Sequence, residues 1–390
     1  MTKTPGPKLR AAVVRMPDCK RIPIQVDAAT GLPVAGDNVW LITSRSPYKS
    51  VETIMSDVSV LSIIREWAEE SRISLAIRFR TEVFLSDTEI KSLSTRLRAK
   101  KRPCTGSDSE VVCEQKWRSR FDFTTVYFRH LAAAYFVPSS PYHHSAPFDN
   151  FIDAWSLHRP RKSSHPRLGL TAEQRTRLLM ITMPGHAENP WQRRNHARNR
   201  LVVLLMILCG LRLGEVLSLR MQDVQMRGSF PTLDVRKRAP DELETRRIPP
   251  GPKTLGRRLP IPGEVAVALN SYVLDHRPGM PAHSQRQFLI LSREGQPCAK
   301  ETIQNMISVL RNSCPMLKGL VAHRLRNTFT DLAQEALKCS PLNRQQGSDV
   351  LTYMGGWSPT SLQPARYSQA WLDLTTQQIM DSIHNHAFEA

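Results

Sequence analysis

Residues 201–208, LVVLLMIL, are eight consecutive apolar side chains, and Gly210, Arg212 and Glu215 follow them closely. A helix that is apolar on every side has to be buried on every side, so this run sits at the centre of a sizeable core. The guanidinium and carboxylate at its exit are then drawn against that core, where each needs a partner to offset the loss of water. Arg212 and Glu215 are three residues apart, on one helical face. The run is too short for a bilayer, which needs about 20 apolar residues, so neither a membrane span nor a membrane partner is expected.

The chain has 390 residues, too many for one ordinary core, which predicts two domains. Its formal net charge of +19 is an argument about partners: it favours a polyanion, most simply nucleic acid, over a neutral small molecule. The N-terminus is basic, with no long apolar stretch and no secretory cleavage pattern, which places the expected site of action in the cytoplasm. The seven cysteines are widely spaced and include no Cys-x-x-Cys pair, so neither a disulfide framework nor a zinc site is indicated. With no phosphate-binding glycine loop and no acidic cluster at metal-ligand spacing, no cofactor is expected.

Residues 1–40 are rich in Pro, Gly and Lys/Arg with little periodicity and read as a flexible basic arm. From residue 41 to about 166 the pattern is helical. Ile54, Val58, Leu61, Ile64 and Trp67 recur at spacings of three and four, and Ser86-x-x-Glu89 is a capping box ahead of Ile90, Leu93 and Leu97. FTTVYFRHLAAAYFV predicts a third helix. The stretch 138–166, with its prolines, serines and histidines, reads as linker around a possible short helix. A second domain, 167–390, opens with another capping box, Thr171-x-x-Gln174. Between 229 and 261 two short β-prone pieces, TLDVRKR and RRLPIP, flank a polar insertion, and helices resume after them.

Four polar clusters in this second domain make chemical sense together: Arg212 with Glu215, His323 with Arg326 in AHRLRNTF, the basic hairpin around Lys253, and MGGWSPTSLQPARYSQA with Trp357 and Tyr367. Two guanidiniums can grip the non-bridging oxygens of one phosphodiester by forked, charge-assisted hydrogen bonds, a task that suits arginine better than lysine. A tyrosine oxygen can attack a phosphodiester held in that way and form a covalent phosphotyrosine. The leaving 5′-oxygen needs a proton, which Lys253 or His323 can supply.

CGLRLGEVLSL, AHRLRNTF and the late Gly-Trp followed by ARY resemble, in order and approximate spacing, the signature boxes of the tyrosine recombinase, or phage integrase, family. The resemblance covers about residues 168–380, and the helical segment 50–136 is similar to the family's core-binding domain in pattern only. It implies a mainly α fold with a small β-sheet (α+β), in which a helical core-binding domain and a catalytic domain form a C-shaped clamp on double-stranded DNA. It further implies Arg212 as first arginine, Glu215 as its buried support, Lys253 as the hairpin lysine, His323 and Arg326 as the second box, Trp357 in the His/Trp position and Tyr367 as nucleophile. Where the family usually has Leu-Gly-His, this chain has Met354-Gly355-Gly356-Trp357. Trp357 therefore takes the histidine's place, or Gly356 does and the donor is lost; the indole N–H favours Trp357. Lys237 in DVRKR is the rival of Lys253, and Tyr353 that of Tyr367.

An Arg-x-x-Glu pair alone is most often a surface ion pair worth ~0.3–0.5 kcal/mol; the ordered set carries the inference. The many other basic residues, such as Arg193, Arg194, Arg198 and Arg257, are expected to carry most of the salt-dependent affinity for the DNA backbone. The implied assembly is a homotetramer on a specific DNA site, with the amphipathic tail WLDLTTQQIMDSIHNHAF docking on a neighbouring protomer. A type IB topoisomerase would use the same residues on any duplex, and a catalytically inactive DNA-binding protein would need only the charge.

Overall fold

A computed structural model of the chain describes residues 9–100, 110–135, 146–161, 168–226, 231–239, 241–251, 254–280, 287–358 and 360. It divides into two units, Met1–Ser164 and His165–Ala390, each with a hydrophobic core of its own.

The N-terminal unit begins with a hairpin. Strand β1 (Leu9–Arg15) pairs antiparallel with β2 (Arg21–Asp27) from Leu9↔Asp27 to Arg15↔Arg21, and Cys19 takes a left-handed φ of 64° in the turn. This corrects the expectation of a flexible arm for these residues. β2 is tied down by a buried polar exchange: Gln25 N–H donates to Asn38 Oδ1 at 2.7 Å, and Asn38 Nδ2 donates back to the Gln25 carbonyl at 2.7 Å. The Gln25 amide also reaches Ser62 Oγ at 3.3 Å. Such pairing of a strand backbone with side chains leaves no period-two signature in the sequence.

Helices follow: α1 (Ala35–Trp40), α2 (Val51–Glu70), α3 (Leu75–Arg80), α4 (Asp87–Arg98), α5 (Glu114–Tyr135) and α6 (Ala146–Leu157). The apolar stripe Ile54, Val58, Leu61, Ile64 and Trp67 is buried along α2, and the Ser86–Glu89 capping box opens α4 as its spacing predicts. The stretch read as linker holds α6, whose Phe151 and Trp155 belong to the core of this unit. Trp155 is fully buried, stacks on Phe121 with ring centroids 4.1 Å apart, and donates its indole N–H to Thr125 Oγ1 at 2.9 Å.

In the second unit, α7 (Ala172–Ile181) starts at the Thr171–Gln174 capping box. All twelve residues of α8 (His196–Ile207) are buried, so the eight-residue apolar run lies in the middle of the core. After α9 (Leu213–Ser218) come three antiparallel strands in the order β3 (Val224–Gln225), β4 (Thr232–Val235), β5 (Arg257–Pro260), with Thr232 opposite Pro260 and Val235 opposite Arg257. Helices α10 (Gly263–Ser271), α11 (Lys300–Ser313), α12 (Ala322–Lys338) and α13 (Arg344–Gly355) complete it. The fold is thus mainly helical with small antiparallel sheets. Among the described residues no helix is long and apolar enough to cross a membrane.

Replacing Trp155 by Ala removes the centre of the aromatic cluster and an N–H donor, and is expected to cost about 3–5 kcal/mol. Urea unfolding monitored by circular dichroism checks this; a loss below about 1 kcal/mol would show that α6 is not part of the folded unit.

Candidate active site

The site grows from the exit of α8. The backbone turns at Gly210, whose φ of +64° and position, where a Cβ would lie 2.3 Å from the Phe329 ring, leave room for glycine only. Two residues on, Arg212 is the N-cap of α9, and its backbone N–H donates to Glu215 Oε2 at 2.7 Å. Glu215 is 1% exposed. Its carboxylate accepts a fork from Arg257, Nη1 to Oε1 at 3.1 Å and Nη2 to Oε2 at 3.2 Å, and a further hydrogen bond from the Thr254 hydroxyl. Arg212 Nη1 lies 3.9 Å from Oε1 and Arg326 Nη1 lies 3.7 Å from Oε2. Burial by itself pushes this carboxyl up. The Arg257 guanidinium, the Thr254 hydroxyl and the Arg212 N–H more than offset that, and hold it below the ordinary glutamate range.

Arg326 comes from α12, one turn after the exposed His323. Its side chain is 1% exposed and donates to two backbone carbonyls, Gly210 and, at 2.6 Å, Gly355. The guanidinium carbon stands 5.3 Å from the centre of the Trp357 ring, which is itself buried against Leu351, Ala333 and Leu337. Gly356 ends α13 with φ 61° and contributes no side chain, whereas Trp357 covers the second arginine. Arg212, Glu215, Arg326 and Trp357 are therefore brought together, with Arg212 keeping 24% of its side chain exposed.

Lys253 and Tyr367 lie outside the described residues. On either side of Lys253 in sequence, Gly251 approaches Gly214 of α9, where a Cβ would sit 3.1 Å from the Gly251 carbonyl, and Thr254 binds Glu215. Lys237 is exposed two residues beyond β4, beside Arg238, which pairs with Asp223. Tyr353 is occupied on β5, its hydroxyl donating to the Arg258 carbonyl at 2.9 Å and accepting from the Arg258 N–H at 3.2 Å.

Two of the four expected backbone contacts require correction. Arg257 has a side chain 1% exposed and faces Glu215, and Arg198 is 5% exposed, with its guanidinium on Asn199 Oδ1 at 3.1 and 3.0 Å and on the Leu291 carbonyl at 3.4 Å. Neither guanidinium faces a surface that DNA can touch. A cation that leads into an apolar run or opens a β-prone segment is as readily held in the core as it is a phosphate contact, and charge alone does not separate the two. Arg193 and Arg194 are exposed.

The sequence profile described as the Phage integrase family matches residues 170–367, just over half of the chain. The chain belongs to the phage integrase family. Its members are tyrosine recombinases, enzymes that break and rejoin DNA strands. No curated protein sequence matches it. Among solved structures it is similar to XerA recombinase at 18% identity over 85% of this chain and 94% of that one, with a TM-score of 0.39. It is also similar to the Tn1549 transposon integrase in complex with circular intermediate DNA (17%, 76% and 85%, TM-score 0.49) and to lambda integrase residues 75–356 bound to DNA (14%, 85% and 94%, TM-score 0.49). These likenesses add no weight to the family match.

Sequence reading missed three members of the recombinase's site. Thr254, next to Lys253 in GPKTLGRR, carries no signal of its own, and the acceptor role of the Gly210 and Gly355 carbonyls is invisible in side-chain patterns. On α12, Thr328 and Asp331 clip the chain entering this unit: Leu170 N–H donates to Thr328 Oγ1 at 2.8 Å and Gly169 N–H to Asp331 Oδ2 at 3.1 Å. Burial pushes the Asp331 carboxyl up to about 6, with the Gly169 N–H opposing it. A carboxyl raised in the folded state binds its proton more tightly there than in the unfolded chain, so it costs stability above about pH 6 and the cost fades as pH falls toward the ordinary carboxylate range. Asp331→Asn keeps an acceptor for Gly169. It is expected to melt higher than wild type in mildly alkaline buffer, with the gap closing in acid; a pH-independent gap would contradict the assignment.

Proposed function

We propose that the protein is a site-specific recombinase in which Arg212 and Arg326 bind the scissile phosphate and Tyr367 is the nucleophile. The observation that supports this most is the imbalance around Glu215, where one buried carboxylate faces the guanidiniums of Arg212, Arg257 and Arg326. Among the described residues, one negative charge against three positive ones is a deficit of anion. In a site of low dielectric that deficit is a strong attraction for a phosphodiester, and stronger still for the charge that grows on its oxygens in the transition state. Arg212 presents the partly exposed edge of the cluster; Arg326 joins it by exchanging a backbone carbonyl for a phosphate oxygen.

In the cleavage step the Tyr367 oxygen attacks phosphorus in line and the bond from phosphorus to the 5′-oxygen breaks. The product is a 3′-phosphotyrosine, and Lys253 supplies the proton that leaves on the 5′-hydroxyl. The phenol's own proton passes to His323, the imidazole offered by the first turn of α12. The reverse reaction with a different 5′-hydroxyl reseals the strand without an external energy source, because the phosphodiester energy is kept in the tyrosyl ester. Arg193 and Arg194 carry salt-dependent contacts to the DNA backbone.

On a nicked duplex that traps the covalent product, Tyr367→Phe is expected to bind as wild type and form no adduct on a denaturing gel. An adduct from the Phe variant would move the nucleophile elsewhere. Lys253→Ala is expected to recover cleavage on a substrate with sulfur at the 5′-bridging position, since a thiolate leaves without a proton; rescue of Lys237→Ala instead would transfer the role to Lys237.

The working assembly is a tetramer linked by the segment after the nucleophile, in which Leu374, Ile379, Met380 and Ile383 fall at helical spacing. A helix this short is marginal alone and needs a partner surface. Truncation after Ala370 is expected to preserve binding of one protomer to its site while abolishing the four-protomer complex in gel-shift assays. Loss of single-protomer binding would show that the segment belongs to its own domain.

A further inference from the structure

Arg257 has the wrong surroundings for a DNA contact and unusual ones for an ordinary ion pair. It opens β5, yet its three nitrogen donors reach two other elements: the fork on Glu215 of α9, at 3.1 and 3.2 Å, and Nε on the Met354 carbonyl in the last turn of α13, at 2.8 Å. The next carbonyl along, Gly355, receives Arg326 at 2.6 Å. Two guanidiniums thus occupy consecutive carbonyls at the C-terminal end of one helix, where the helix dipole favours cations, and both face the same carboxylate. Gly356 makes this possible: a Cβ there would lie 2.5 Å from Arg257 Nη1, and its φ of +61° suits glycine. Its carbonyl accepts from the Leu255 N–H at 3.0 Å, so the hairpin and the end of α13 are joined on both sides of the guanidinium.

We infer that Arg257 is a positioning residue for strand cleavage, which by bridging the Glu215 carboxylate and the Met354 carbonyl holds the Arg212 turn and the Arg326–Trp357 element in the geometry that receives the phosphate. The inference rests on the reading that Arg212 and Arg326 bind that phosphate. Lysine cannot replace it in full, because a single ammonium lacks the planar fork that spans both carboxylate oxygens and still leaves Nε for the carbonyl. Without Arg257 the Met354 carbonyl and the Glu215 carboxylate lose their shared donor, and the link that Arg326 keeps between α9 and the end of α13 is the looser one, with Nη1 3.7 Å from Glu215 Oε2.

The role has a signature that a purely structural contact lacks. Among the described residues, the charged groups around the Glu215 carboxylate are Arg212 on its own turn, Arg257 from β5 and Arg326 from α12, with the neutral Thr254 hydroxyl beside them. Burial pushes the Cys209 thiol up to about 12, with the Arg257 charge opposing it. Removing Arg257 takes away the strongest influence that opposes burial at Glu215, so its carboxyl rises. Cleavage by the variant then depends on ionising Glu215 and recovers as pH increases.

The test uses the full-length protein on the nicked trapping duplex, with binding read by gel shift and first-turnover cleavage followed across pH. Arg257→Met is expected to bind DNA like wild type and cleave on the order of ten- to a hundredfold more slowly, with its rate relative to wild type climbing as pH rises. In Arg257→Met/Glu215→Gln the rate stays low and the climb disappears. If Arg257→Met does not fold, Arg257→Lys must show slowed cleavage with unchanged binding. Wild-type cleavage by either single variant, or a loss of binding in step with cleavage, would overturn the inference. Arg212→Ala is run alongside: if it cleaves at the wild-type rate the phosphate-binding reading itself fails, whereas a slow Arg212→Ala beside a fast Arg257→Met refutes only the role of Arg257.

Discussion

A carboxylate with no exposure to water, that of Glu215, organises the second unit. Burying the Glu215 side chain costs several kcal/mol in lost hydration, and the cost is offset only if the surrounding backbone delivers donors with good geometry. Each local feature of the site answers that demand. Gly210 turns sharply enough for Arg212 to begin α9 with its N–H on Glu215. The strand pair β4–β5 brings Arg257 up from the sheet, and the loop before it supplies Thr254. Gly356 clears the space into which the Arg257 guanidinium fits. Among the described residues three guanidiniums converge on this one carboxylate, and on the proposed reading that excess of positive charge is what receives the phosphate.

The long connection between β4 and β5 looks in sequence like a polar insertion reaching into solvent, and physically it is the reverse. Arg246 forks onto Glu244, at 2.8 and 2.6 Å, and its Nη1 donates to the Leu217 and Cys298 carbonyls at 3.0 Å each, while its guanidinium lies 4.9 Å from the centre of the Phe288 ring. Arg220 with Asp241 and Arg238 with Asp223 fasten the same segment. Ser218 Oγ sits 2.7 Å from both the Gly214 and Pro250 carbonyl oxygens, so the connection returns onto α9 just before Lys253 in the chain. A loop anchored in this way delivers its last residues to Glu215 in a fixed register, which a free loop of equal length would do only at an entropic cost.

What could be read in advance follows from which interactions are local. The stripe of α2, the capping boxes at Ser86 and Thr171 and the all-buried α8 depend on neighbours three or four residues away, and their spacing announces them. The ordered boxes from Arg212 to Arg326 were legible because each pairs residues within one turn. The β1–β2 hairpin was not, since its anchor is Asn38, thirteen residues from Gln25, and its strands alternate poorly. Helix α6 was expected only as a short helix inside a linker, and its place in the core was not legible because Trp155 gains that place from a stack with Phe121, far along the chain. Arg257 carried a charge but no sign of direction: its partners are 42 and 97 residues away.

That directional blindness also changes what the net charge of +19 means. Among the described residues eight arginines are buried, including Arg198, Arg200, Arg257 and Arg326, and each is committed to carbonyls, amides or carboxylates of the protein itself. The salt dependence of DNA binding counts phosphates contacted by accessible cations, not the formal charge of the chain, so a slope scaled from composition overstates the contacts. The buried guanidiniums serve a different end. On the proposed reading Arg326, held away from water by backbone carbonyls and one carboxylate, spends no reorganisation energy when charge develops on a phosphate, and preorganisation of that kind separates a group that helps a reaction from one that merely binds its substrate. In this chain the division is visible at neighbouring positions of one strand. Arg258 is exposed on Asp234, and Arg257 is enclosed on Glu215. Alternation along β5 therefore sends one arginine to the surface and its neighbour into the cluster around Glu215.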